Sequence, residues 1–343
     1  MSVFCTLIGL LVLATPQWTS QSSRTMARLR GVSAVNNQVA WASGSDSTVL
    51  RTEDGGTTWS KLTVSSDKLD FRDIDAIDER TAYVLAIGNG EASRIYKTTD
   101  AGATWTLQFK NTEAQAFYDA MSFWDARHGI VIGDSIAGEF CILITDNGGS
   151  TWNRVPGQSL PAALPNEGAF AASGTNIAVW GDSHAWIATG GAAKSRVLRT
   201  SDGGRTWKVV DAPLKAGAST GIFSIAFRDA RHGVIVGGDY SKEGEAVDNL
   251  AVTNDGGITW SLRKGLSGYR SVVAYVPSRA GKSKNLVAVG PSGTDYSSDG
   301  GETWNRRDGT GFDTVSFARS SKSSTVGWAA GKDGAIGFVR FDW

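Results

Sequence analysis

The pattern Ser/Thr-x-Asp-x-Gly-x-Thr-Trp occurs six times along the chain, at 52–59, 98–105, 145–152, 200–207, 253–260 and 297–304. The third copy carries Asn147 where the others have Asp. The closing tryptophans, Trp59, Trp105, Trp152, Trp207, Trp260 and Trp304, follow one another at intervals of 44 to 55 residues. A period of that size, with several short strands in each unit, means propeller blades rather than a helical solenoid. Each position in the pattern has a physical task. The acidic side chain accepts hydrogen bonds from turn amides, as Asn147 also can, and the Gly after it tolerates positive φ. The Trp opens the outgoing strand and is expected to wedge between blades. The 42 glycines suit a chain of many tight turns.

The sequence around each copy completes a four-stranded unit. In the third, 116–123 reads as the inner strand, 125–129 as a turn, 130–133 as the second strand and 141–145 as the third. The fifth repeats the scheme over 221–227, 234–238 and 249–253. No segment has a 3.6-residue apolar period, so helix should be scarce. After Trp304 the chain supplies three more strands but no further hairpin motif. The missing outer strand is expected from the segment at Trp18. The fold class predicted is therefore all-β: a seven-bladed β-propeller over residues 16–343, closed by its N-terminal strand. Such closure leaves no exposed sheet edge.

Residues 3–14 form a short apolar run with no charged side chain nearby. It is too short to span a bilayer and has the length of a signal-peptide core, so residues 1–15 are read as a cleaved leader and the protein as periplasmic or secreted. Lys and Arg number 34 against 34 Asp and Glu. That balance argues against a nucleic-acid binder built on a basic surface. The two cysteines, Cys5 and Cys141, form no CxxC pair. His128, His184 and His232 fall in the first turns of three different blades, which argues against a shared metal. No phosphate-binding Gly-rich loop opens a helix, and no G-x-S-x-G occurs. No cofactor and no metal are expected, and a monomer is.

The six boxes resemble the Asp-box, or bacterial-neuraminidase, repeat. The segments 123–133 (FWDARHGIVIG) and 227–237 (FRDARHGVIVG) are similar to the photosystem II stability/assembly factor family. That resemblance implies an exported, non-catalytic scaffold that binds a protein or peptide partner and helps to assemble a membrane protein complex. Asp-box propellers also include glycan-active hydrolases, which is the alternative reading. A sialidase would carry a Phe/Tyr-Arg-Ile-Pro segment, which is absent. A hydrolase needs two carboxyls about 5–10 Å apart, and Asp134, Glu139, Glu167 and Asp239 are the candidates.

In propellers of this type the box hairpins share one face, and ligands sit on the other, at the mouth of the central channel. The loops and inner-strand starts assigned to that mouth offer Arg72, Tyr118, Asp134, Glu167, Arg196, Asp239, Tyr240 and Arg270 as ligand-binding candidates. Arg94, Lys194, Lys242, Glu243 and Tyr269 lie nearby in the same loops. The longest loop, 237–249, is the expected specificity element. Arginines, aromatics and carboxylates together suit a polar ligand or a peptide.

Overall fold

The computed structural model describes residues 17–278, 283–318 and 324–342. The expected leader lies outside them. Seven four-stranded antiparallel sheets form a ring of blades. The inner strands, in chain order, are Leu29–Ala34, Asp70–Ala76, Tyr118–Phe123, Ile177–Trp180, Thr220–Phe227, Val272–Tyr275 and Thr314–Phe317. Helix is confined, among the described residues, to three single 3-10 turns.

The seventh blade is closed by both ends of the chain. Thr19–Ser22 pairs antiparallel with Ala335–Asp342, Thr19 opposite Phe338. Just before this strand, Trp18 sets its ring edge-on to Phe312 at 5.1 Å and donates from Nε1 to Thr294 Oγ1 of blade six at 3.2 Å. Gln21 Oε1 accepts from both Trp59 of the first box and Trp328 of blade seven, each at 3.2 Å. One side-chain amide thus ties the seventh blade to the first.

Blades pack face to face, so most sheet faces are buried on both sides. This is why strands such as Gly129–Ile136 and Gly233–Asp239 read as continuous apolar runs rather than alternating ones. Between blades two and three, Tyr83, Leu85 and Ile95 meet Tyr118, Met121, Val131 and Leu143 in one core. Polar side chains near the axis add cross-blade bonds. Ser33 Oγ accepts from the amide of Ala76, Asp73 Oδ2 from Met121, Ser224 Oγ from Val273, and Ser316 Oγ from Ala34, all at 2.7–3.1 Å.

The box hairpin repeats its bonding in every copy. In the first, Thr52 Oγ1 donates to Asp54 Oδ1 and accepts from the amide of Gly56. Asp54 Oδ1 accepts from the amide of Thr58, and Asp54 Oδ2 from the Thr58 hydroxyl, at 2.9 and 2.7 Å. The third copy has the same frame, with Asn147 Oδ1 accepting from the Thr151 amide and Nδ2 donating to its hydroxyl. An amide early in each hairpin then donates to the first turn of its own blade: Gly55 to Gln38, Ala101 to Arg80, Gly148 to Arg127, Gly203 to Ser183, Gly256 to Arg231 and Gly300 to Lys284.

The box tryptophans share the wedge role with aromatics of the second strands. Trp41, Trp186 and Trp328 are the large fully buried tryptophans. Tyr83 of blade two donates its hydroxyl proton to the carbonyl of Gly148 in the next box, and Trp186 of blade four donates to Gly256. Where the corresponding residue is aliphatic, Ile130 or Val234, the next box turns inward. Trp207 then bonds its own Gly204 carbonyl, and Trp304 its own Gly301 carbonyl.

The box carboxylates should make the protein acid-sensitive. Asp54 is held below the usual carboxylate range by the Thr58 amide and hydroxyl, and Asp100 is brought down to about 2 chiefly by the Thr104 hydroxyl and amide. A depressed folded pKa gives stability that is present above the unfolded value, ~4, and is lost as pH falls towards the folded one. Thermal unfolding midpoints should therefore drop between about pH 4 and pH 2. Asp100→Asn, which copies the third box, should make that drop shallower. An unchanged acid profile in this variant would assign the acid sensitivity elsewhere.

Candidate functional site

The segment 168–176 precedes the short inner strand of blade four and departs from it across the axis of the ring. It bonds to every other blade. Arg30 of blade one donates to Ala172 O at 3.2 Å, and Arg72 of blade two to Ala171 O at 2.9 Å. In blade three, Asp119 accepts from the amide of Ala171 and Asp134 from that of Ala169. Thr175 donates to Ser224 Oγ of blade five, Ser173 to Ser271 O of blade six, and Thr314 of blade seven to Ser173 O. Gly174 has φ +73°, and a Cβ there would lie 2.1 Å from Asp73 Oδ1. Only glycine fits both the backbone and the space.

Above this crossing segment is a cavity of about 590 Å³ on the face opposite the boxes. One wall is cationic: Arg28, Arg30 and Arg72. Arg28 is committed to Asp313 through two bonds of 2.7 and 2.8 Å, and Arg72 to Asp70 at 2.9 Å. Arg30 has no carboxylate partner among the described ion pairs; its described bond is to the Ala172 carbonyl. Burial, opposed by Asp313 and reinforced by Arg72 and Arg28, brings its guanidinium down to about 10. The other wall is aromatic. Phe170 and Phe223 stack at 3.9 Å, and Tyr240 stands edge-on to both with 51% of its surface exposed. Tyr269 closes the stack from beneath, 4.8 Å from Phe223.

Four carboxyls are in the lining: Asp313, held by Arg28, Glu243, and the pair Asp119 and Asp134. Burial pushes Asp119 well above the usual carboxylate range, and nearby Asp134 adds to the effect. Burial raises Asp134 to about 6. Asp119 Oδ2 is buried and has no hydrogen-bond partner among the described residues.

Of the eight residues expected at the mouth, Arg72, Asp134 and Tyr240 line this cavity. Asp239 stands just behind Tyr240, where the Ser241 hydroxyl and amide bond its Oδ1 and hold its carboxyl below the usual range. Contrary to expectation, the structure turns the other four into the protein. Tyr118 is buried edge-on against Phe109 at 5.5 Å, and its neighbour Phe117 lines the cavity instead. Glu167 and Arg196 form a buried ion pair in which Arg196 Nε meets Oε1 at 2.9 Å. Thr189 and the Leu164 amide satisfy the remaining lone pairs of Glu167. Arg270 is fully buried on Asp295 at 2.7 Å. Glu167 and Asp239 are thereby removed as partners for Asp134 in a carboxyl pair, and Asp119 takes that place. The loop 237–249 does overhang the mouth, with Tyr240 and Glu243 in the lining.

Residues 16–117 match the family model described as photosynthesis system II assembly factor YCF48. A search of curated proteins finds no match. Among solved structures, a YCF48 bound to D1 peptide superposes with a TM-score of 0.65 at 17% identity, covering 95% of this chain and 97% of that one. YCF48 from Cyanidioschyzon merolae gives 0.62 at 17% identity, covering 95% and 98%. A GH74 xyloglucanase from Xanthomonas campestris gives 0.65 at 15% identity; this chain covers 53% of its length and is itself covered over 94%. The chain is an Asp-box propeller that resembles the photosystem II assembly factors.

Proposed function

We propose that the protein is a peptide-binding scaffold whose central mouth takes an acidic segment carrying a large apolar side chain. The observation that carries this reading is Arg30, a half-buried guanidinium on a cavity wall that forms no ion pair with a carboxylate among the described residues. A ligand carboxylate would supply the missing charge, and the exposed face of Tyr240 with the Phe170–Phe223 stack would take a ring. The similarity to a YCF48 structure bound to D1 peptide supports a peptide as the class of ligand. Export through a cleaved leader, a monomeric state and a membrane protein complex as the source of the peptide belong to the same proposal. Envelope fractionation with N-terminal sequencing of the mature chain tests the first of these.

The direct test is titration with the peptide acetyl-Glu-Asp-Phe-Glu-amide. Arg30→Met keeps the length and apolar stem of the side chain and removes the charge. It should weaken binding by roughly tenfold or more, a hot-spot loss of about 1.4 kcal/mol or above. Equal affinity of the two proteins would remove Arg30 from the site. A second reading, glycan hydrolysis, draws on the two raised carboxyls, Asp119 and Asp134, facing one cavity. It requires release of reducing sugar from xyloglucan and loss of that release in Asp134→Asn.

A further inference from the structure

The cavity that would take an anionic peptide has four carboxyl groups in its own lining; Asp313 is held by Arg28 and Glu243 lies on the overhanging loop, which leaves Asp119 and Asp134 on the wall to be accounted for. An ionised carboxylate only accepts hydrogen bonds and repels a second one. Asp119 is 2% exposed, with one oxygen on the Ala171 amide and Oδ2 without a partner among the described residues. Asp134 accepts from the Ala169 amide on the same wall. A buried acceptor-only group left unmatched is costly; a neutral acid at the same place is a donor in search of an acceptor.

Resting on the peptide-binding reading, we propose that Asp119 and Asp134 meet the ligand as neutral carboxylic acids that donate hydrogen bonds to its carboxylate, so that docking draws a proton from solvent onto the protein. The proton comes from water or buffer and ends on a carboxyl oxygen; no other bond changes. Burial and the nearby Asp134 favour the neutral form of Asp119, so the proton taken up is assigned mainly to Asp134, whose pKa of about 6 leaves it mostly ionised near pH 7. The charged groups around the pair are few. Arg72 of blade two favours ionised Asp119 but is shared with Asp70 and Ala171 O. Arg28 of blade one is held by Asp313 of blade seven, and Arg30 bonds Ala172 O without a carboxylate ion pair among the described residues. Glu243 lies on the overhanging loop, and Tyr269 is buried beneath it. Glu167, on the segment leading to the crossing, is neutralised by Arg196. Behind the pair, Cys141 is buried within blade three, with the Arg154–Glu113 bridge beyond it.

Linkage fixes the sign. A group whose pKa rises on binding strengthens binding at low pH and loses that contribution as pH climbs past its free value. Affinity for acetyl-Glu-Asp-Phe-Glu-amide should be highest below about pH 6 and should fall by up to tenfold per pH unit above it, the limit for one proton. The peptide's own carboxyls, with ordinary values near 4, stay ionised through this range. Calorimetric titration near pH 7 in phosphate and in Tris, buffers of very different ionisation heat, reads the proton directly as a difference in apparent enthalpy. The expected result is uptake of between half a proton and one. The Asp119→Asn/Asp134→Asn double variant, whose amides donate at every pH, should show no buffer difference and no pH trend. Binding with no proton uptake and a flat pH profile in the unaltered protein overturns this inference and leaves the peptide-binding reading standing. Absence of binding across the whole range overturns both. The comparison of buffers uses only the unaltered protein, so misfolding of the double variant does not obscure the outcome.

Discussion

Removing the chain up to Ser22 is expected to open the ring. The loss strips the partner from Ala335–Asp342, withdraws Trp18 from Phe312 and Thr294, and leaves the indoles of Trp59 and Trp328 without Gln21. Deleting a large packed aromatic alone costs about 3–5 kcal/mol, and the strand's ladder is lost with it. The uncovered edge is also a template for pairing with a second copy. Thermal unfolding should shift to markedly lower temperature, and light scattering should show larger assemblies than the full chain gives. A truncated protein that keeps the full chain's assembly state and an unchanged midpoint would mean that the N-terminal strand decorates the ring rather than closes it.

Arg270→Ala should be the most damaging single substitution. The guanidinium is fully buried and fully occupied, by Asp295 Oδ2 through Nε, by Tyr269 O and Ser292 Oγ through Nη1, and by Ser267 Oγ through Nη2. Asp295 in turn accepts from the amide and hydroxyl of Ser267. Taking away one partner strands a charge in the interior, which costs about 3–5 kcal/mol. Replacing both together, as Arg270→Met with Asp295→Leu, removes the stranded charge and should recover much of that loss. Denaturant unfolding of the single and double variants measures the difference. A double variant no better than the single would mean that the surrounding hydroxyls, rather than the charge pair, fix the local structure.

These two variants also mark what the sequence made legible. The ring was readable because the boxes recur every 44 to 55 residues, and the Ser/Thr–Asp–Thr hydrogen bonds of each box run within its own eight residues. The closure followed from counting strands after Trp304. The mouth was only half readable. Arg72, Asp134 and Tyr240 sit at predictable blade positions, but Glu167, Arg196 and Arg270 share those positions while their partners lie 25 or 29 residues away. Spacing alone does not reveal such pairings. Asp119, between the buried Tyr118 and Ala120, reads as one more inner-strand residue. Arg28, just before the strand Leu29–Ala34, and Arg30 within it flank the buried Leu29 and carry no motif. The crossing segment, with its small residues and no periodicity, gives no local sign of what it spans. The second-strand aromatics had a visible signal: Trp41, Tyr83 and Trp186 each lie opposite the residue just before a box, and aligning the blades on their boxes exposes the column.

The crossing segment has a consequence for traffic through the ring. With residues 168–176 laid over the axis, the molecule is a cup and not a pipe, and no polymer can be threaded from one side to the other. Whatever enters must leave over the same rim. A chain terminus or a tight loop would fit equally, and both flanks of a captured loop would emerge together, on the side away from the acidic hairpins.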